Sequence, residues 1–294
     1  MQPKKSLLML GVLLAALQGQ ATPTHQIIHP TADILPALTL NLQGGFADIV
    51  GQRGWRPAVR IGLGGAAEFE WSQQYFYSDL EAGKGSVPVA GIKIRLPKAV
   101  PWLDWSLAFY NAQKWSPTYS LEYAINESAE YRAANIASVN FESIYSRVDL
   151  LLGVQLSEKL RLYPSLYVLD SRARNLRVSF RFFDEEQSAS IEIPEIAQEW
   201  MVGGGMGFTF QAASDFAYVG QALAAPQYQL DTATNELRLA YRYLIVVGTR
   251  YQIGNVIVLD TGIYHDALEI LLSKLQVYAR LNLVFDLQRV IRRQ

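Results

Sequence analysis

The chain of 294 residues contains no cysteine. A disulfide framework is therefore excluded, and the fold must be held by burial and hydrogen bonding. Histidine is scarce too, with only His25, His29 and His265. The net charge is −1, from 26 Lys and Arg against 27 Asp and Glu. Such a balance lacks the basic footprint of a nucleic-acid binder, and that class is set aside. Long apolar runs are the last thing missing. One occurs at the N-terminus; after it, no run has the length and apolar density of a membrane helix, which needs about 17 to 25 residues. A mature chain in a membrane would have to cross it as strands.

The N-terminal run reads as a secretory signal over residues 1–21. Lys4 and Lys5 supply a positive start, residues 7–17 (LLMLGVLLAAL) an apolar centre, and Gly19 and Ala21 the small residues a signal peptidase reads, which puts cleavage after Ala21. Residues 22–36 (TPTHQIIHPTADILP) hold three prolines and no sustained period, so they read as an extended periplasmic leader outside the folded body. His25 and His29 are four apart, a spacing some metal sites use on a helix. Pro23 and Pro30 argue against that helix and no third ligand is adjacent in sequence, so no metal and no cofactor is expected.

What the chain has in quantity is alternation. In residues 275–287 (LQVYARLNLVFDL), Leu275, Val277, Ala279, Leu281, Leu283, Phe285 and Leu287 alternate with Gln276, Tyr278, Arg280, Asn282, Val284 and Asp286. A period of two is a strand with one apolar face, and the length is about that of a tilted strand crossing a bilayer. The pattern recurs upstream, for example over 67–77, 102–110, 147–156, 160–168 and 237–247. Gly64-Gly65, Pro97 to Pro101, Ser157 to Lys159, Ala212 to Asp215 and Gly254-Asn255 supply short turns between longer connections, as in a barrel with unequal rims. Residues 111–138 and 171–198 read as long excursions. These features predict an all-β, transmembrane, antiparallel up-and-down β-barrel of about twelve strands over residues 37–287, with ten or fourteen as alternatives and a periplasmic tail at 288–294. The last strand should close the barrel against the first. A soluble β-sandwich, with apolar faces paired between two sheets, is the rival fold.

The same alternation predicts a lumen lined by Arg60, Lys93, Arg95, Arg147, Arg161, Arg238, Arg242 and Arg280 together with Glu68, Glu70, Asp104, Asp149, Glu199, Asp260 and Asp286. Inside a narrow barrel so much mixed charge means either a small hydrated pore with paired walls or a lumen largely filled by side chains. Arginines left over would favour small anionic solutes over other small polar ones. An outer-membrane lipid hydrolase is the second class considered. His265, Asp266 and Ser273 share the last loop and are its weak catalytic candidates, without a GxSxG elbow to support them. A structural or adhesive barrel acting through its loops is the third.

The signal segment, the repeated amphipathic strands and a last strand carrying an aromatic at Phe285 resemble Gram-negative outer-membrane β-barrel proteins over essentially the whole mature chain. The resemblance implies a place in the outer membrane among its lipids, and insertion by the barrel-assembly machinery, which in that class reads the final strand. In that class the strand commonly ends at the aromatic, whereas here nine residues follow Phe285. The size resembles twelve-stranded channels for small acidic sugars and twelve-stranded lipid hydrolases alike.

Overall fold

A computed structural model describes residues 24–25, 30–49, 52–55, 57–75, 77–78, 86–98, 100–115, 118–119, 134–182, 188–231, 236–254, 256–267 and 276–287. Twelve strands make the wall: β1 (Thr39–Ile49), β2 (Ala58–Leu63), β3 (Ala67–Tyr75), β4 (Ser86–Arg95), β5 (Leu103–Trp115), β6 (Ala134–Gln155), β7 (Leu160–Phe182), β8 (Ser188–Ala213), β9 (Phe216–Asp231), β10 (Glu236–Ile253), β11 (Ile257–Asp266) and β12 (Gln276–Asp286). Each pairs antiparallel with its sequence neighbour, and β12 pairs with β1 from Thr39↔Asp286 to Ala47↔Tyr278. The ring is thus closed at twelve, and closure pairs the strand edges around the wall except where the β8–β9 ladder stops short.

Side-chain alternation does the sorting. On β3, Phe69 and Trp71 are exposed while Glu68, Glu70 and Ser72 are buried; on β12, Val277 and Leu281 are exposed while Tyr278, Arg280, Asn282 and Val284 are buried. Polar residues are inside and large apolar residues outside, the inverse of a soluble protein and the pattern a lipid-facing wall requires. Outward aromatics mark two levels, with Trp102, Tyr218 and Tyr251 toward the short-turn rim and Trp200, Tyr241 and Tyr243 toward the other. The short turns fall where the sequence places them, and Gly64, Gly65 and Gly254 take the positive φ their turns need (63°, 73° and 58°).

The expected excursions take a different form. Residues 171–182 and 188–198 continue the wall: β7 and β8 stay paired out to Arg181↔Ser188, and β6 runs alongside them from Ala134. Strands of 22, 23 and 26 residues exceed what a bilayer needs, so β6–β8 project beyond the rim as a three-stranded blade. The reason is that polar alternation such as Arg177, Ser179 and Arg181 is still strand alternation once lipid no longer demands an apolar face. The segment 120–133 and the acidic link Asp184 to Glu186 lie outside the described residues, as do the signal segment and the C-terminal tail.

Two short pieces cross the ends. Tyr77–Ser78, in the β3–β4 connection, pairs parallel with Gln227–Tyr228 of β9. Strands β3 and β9 are six apart in a ring of twelve, so this connection reaches across the wide mouth. At the short-turn end lies the N-terminal segment.

The lumen as candidate functional site

Contrary to the expectation of a leader outside the barrel, the described residues of the N-terminal segment are packed against the inner wall. Thr24, His25, Thr31, Ala32, Ile34 and Leu35 are buried. Thr31 N–H donates to Thr24 O at 3.0 Å and His25 bridges Pro30, folding the segment into a small hairpin. It enters past Gly62 of β2, where a Cβ would stand 1.9 Å from Pro36 O; only glycine lets the backbone pass so close.

Wall side chains then satisfy the hairpin's backbone. Lys93 Nζ donates to Thr24 O (3.2 Å) and Thr31 O (3.3 Å), Ser106 Oγ to Ala32 O (2.7 Å), and Arg250 Nη2 to His25 O (3.0 Å). Glu68 accepts from Leu35 N–H and from the Thr24 hydroxyl, both at 3.0 Å. Asp33 reaches Arg161 at 2.8 Å, and His25 Nε2 lies 2.9 Å from Glu70 Oε2. Buried polar backbone costs free energy unless it is hydrogen-bonded, and here the wall's inward polar side chains are its partners.

The charges of the wall are matched locally. Arg60 Nε is 3.1 Å from Glu70, Lys93 Nζ 3.2 Å from Glu68, and Arg147 Nε 2.7 Å from Asp149. Arg161 reaches Asp104 at 2.7 Å, and Asp104 also takes Lys98 at 2.8 Å. Asp260, wholly buried, accepts from Arg250 (2.7 Å) and Arg280 (2.5 Å) together. Among the described residues, and leaving aside the exposed Lys98, six cations (Arg60, Lys93, Arg147, Arg161, Arg250, Arg280) thus stand against five wall carboxylates (Glu68, Glu70, Asp104, Asp149, Asp260), and Asp33 of the hairpin is the sixth.

Of the charged residues expected inside, Arg60, Glu68, Glu70, Lys93, Arg147, Asp149, Arg161, Asp104, Asp260 and Arg280 are brought into these pairs. Arg95 is exposed and Asp286 half-buried. Glu199, Arg238 and Arg242 lie on strands, but their side chains fall outside what is described. Beside the exposed Lys98, three participants were not anticipated: His25, Asp33 and Arg250. Arg250 was within reach, since it continues the inward parity of Val246; the other two lie in a stretch without period.

His25, Glu68 and Glu70 bring ligand-type atoms within 4.8 Å of one another. Both carboxylates are already committed to Lys93 and Arg60, so the trio is neutralised by the protein's own cations. The hydrolase candidates are described only in part. His265 and Asp266 end β11, paired with Ile245 and Leu244 of β10, and the side chain of Asp266 lies outside what is described. His265 shares the outward parity of Leu259 and Ile263. Ser273 lies outside the described residues.

A closed twelve-stranded antiparallel ladder with an apolar outer face and a polar, ion-paired interior defines an up-and-down β-barrel of the outer-membrane kind. No protein-family model matches the chain, and no curated protein does. Among solved structures it is similar to the translocator domain of the autotransporter NalP from Neisseria meningitidis (11% identity, 96% of this chain and 95% of that one, TM-score 0.46). It is likewise similar to the CymD monoaromatic hydrocarbon channel (11%, 86% and 89%, 0.48) and to the NanC porin (8%, 84% and 98%, 0.45). At such values the likeness is one of shape.

Proposed function

We propose that this protein is a narrow outer-membrane channel for small polar solutes, with a mild preference for anions, held closed by its own N-terminal hairpin. The observation that carries the reading is that, beside the buried Ala32, Ile34 and Leu35, the hairpin is fastened by side chain to backbone hydrogen bonds and by Asp33, on a wall whose facing groups are largely hydrophilic. A permanent core would be expected to seal itself with apolar contacts. A hydrophilic seat can instead exchange the hairpin for water at small net cost, because each bond given up is replaced by one to solvent. Withdrawing the hairpin removes Asp33 and leaves six wall cations against five carboxylates, which supports the anion preference. Export after cleavage near Ala21, insertion by the barrel-assembly machinery and placement among outer-membrane lipids complete the proposal.

Planar-bilayer recordings test it. The mature chain should be mostly closed; a variant lacking residues 22–35 and a Gly62→Ala variant, whose new Cβ collides with Pro36 O, should both conduct with modest anion selectivity. Barrels that migrate as folded yet conduct in neither variant would refute a channel. A cation-selective current would refute the anion preference.

A further inference from the structure

The β8–β9 seam is unlike the rest of the wall. Its ladder runs from Ala213↔Phe216 to Gly205↔Leu223 and stops. Both strands nevertheless continue, β8 to Ser188 alongside β7 and β9 to Asp231 alongside β10. Among the described residues, β8 beyond Gly204 pairs with β7 alone. The wall therefore forks, with the β6–β8 blade on one side and the β9–β10 hairpin on the other.

The sequence encodes the fork. Extending the register past Gly205↔Leu223 would set Val202 opposite Pro226. Proline has no N–H to offer a neighbouring strand, so the next ladder bond cannot form from that side. A second proline, Pro194, lies on the stretch of β8 that runs without β9. Two tyrosines hold the fork instead. From outside, the Tyr241 hydroxyl, on the β10 residue paired with Pro226, donates to Val202 O. From inside, the Tyr167 hydroxyl donates to Ala224 O at 2.7 Å, its ring occupying the space left by Gly203, where a Cβ would stand 2.3 Å from the ring. Side-chain clips can open by rotamer change, which a ladder cannot.

Its height and lining indicate what could use it. The eight residue steps from Tyr218 to Pro226 rise roughly 20 Å at a tilt of about 40°, so the fork begins inside the apolar belt and ends near the outer aromatic level. Outside it stand Leu166, Val202 and Trp200, the last 68% exposed. Inside it stand Leu169, Met201 and Leu223, buried and apolar, in contrast to the charged positions of β2–β4.

We infer that the β8–β9 fork is a lateral portal through which the acyl chain of a single-tailed amphiphile passes between the outer leaflet and the apolar part of the lumen. The three residue steps from the last ladder pair to the Tyr241 clip span about 10 Å, short enough to suit one chain and not a two-tailed lipid. An alkyl chain also asks for no hydrogen bond at Pro226, where the β9 edge has no N–H to offer. This does not rest on the channel reading.

The unmodified protein supplies the test. In phosphatidylcholine vesicles containing a palmitate-length fatty acid with a diazirine at the tail, irradiation and peptide mapping should label outward residues such as Val202 and Val277, and also inward Leu223 and Met201. Inward Val258 and Val284, far from the fork, should stay at least fivefold lower. Tyr241→Phe should raise labelling of Leu223 at least twofold. Labelling confined to outward residues, with Leu223 no higher than Val258, overturns the portal; an unchanged Leu223 signal in the variant overturns the clip. A diazirine-tailed phosphatidylcholine that labels Leu223 as strongly overturns the single-chain assignment. None of these readouts depends on conductance, so either proposal can fail alone.

Discussion

Two sectors of the inner wall are built on opposite principles. On β2–β4 and β11–β12 the inward positions are Arg60, Glu68, Glu70, Lys93, Asp260 and Arg280, locked in pairs and seating the N-terminal hairpin. On β7–β10, beyond the level of Arg161 and Arg250, the buried inward positions are mostly apolar, Tyr167, Leu169, Met201, Val219, Leu223, Leu244 and Val246, with Ser171 and Gln221 among them. Strand geometry is the same in both, so the backbone does not choose between them. The charged sector requires each group to keep its partner, since a buried charge left alone is costly. The apolar sector requires only shape, and can give way beside a seam without stranding a charge.

The largest effect should come from the charged side. Asp260→Asn leaves Arg250 and Arg280 facing each other beside a neutral amide, and we expect a loss on the order of 3 to 5 kcal/mol, the range for removing one partner of a buried pair. Urea unfolding followed by heat-modifiable migration measures it; a loss under about 1 kcal/mol would mean that water reaches this sector and the contrast is false. Leu169→Ala, at a wholly buried apolar position, should cost about 2 to 4 kcal/mol through its cavity while leaving ion selectivity untouched. A selectivity change in that variant would show that ions run along the apolar sector.

The smallest effect is a pH dependence. His25 sits in the hairpin, not in a strand of the wall, and burial, then the charge of Arg60, lower its pKa to about 3. Glu70 opposes the shift from one side, and Lys93 adds to it. Withdrawn into water, the imidazole returns to its ordinary value of about 6.5. The docked state therefore binds fewer protons. Its advantage is complete above the free value and is lost as pH falls from about 6.5 toward 3. Channel opening should rise with acidity, approaching tenfold per pH unit well below 6.5, and His25→Gln should flatten the profile. A bilayer pH titration that is flat in the unmodified chain would sink this account.

Much of the fold was legible because it rests on a period of two. The strand faces, the short turns and the closure of β12 on β1 all follow from alternation plus the requirement that lipid-exposed backbone be paired. Strand ends were not legible, because polar alternation beyond the membrane has no lipid face to mark it. The hairpin was not legible for another reason. Thr24, His25 and Asp33 meet partners as far away in the chain as Arg250 and Arg161, and local spacing carries no trace of such contacts. The fork left a legible sign, Pro226 in the middle of a strand, whose meaning needed the register of β8 beside it.

The entry of the hairpin past Gly62 bears on assembly. The hairpin precedes β1, and β1 is one half of the junction that makes the cylinder whole. A cylinder already sewn shut would have to admit a folded, polar plug endwise. The simpler order is that β1 carries the hairpin inward and β12 then seals the wall behind it, so that the last strand of the wall encloses the segment that precedes the first.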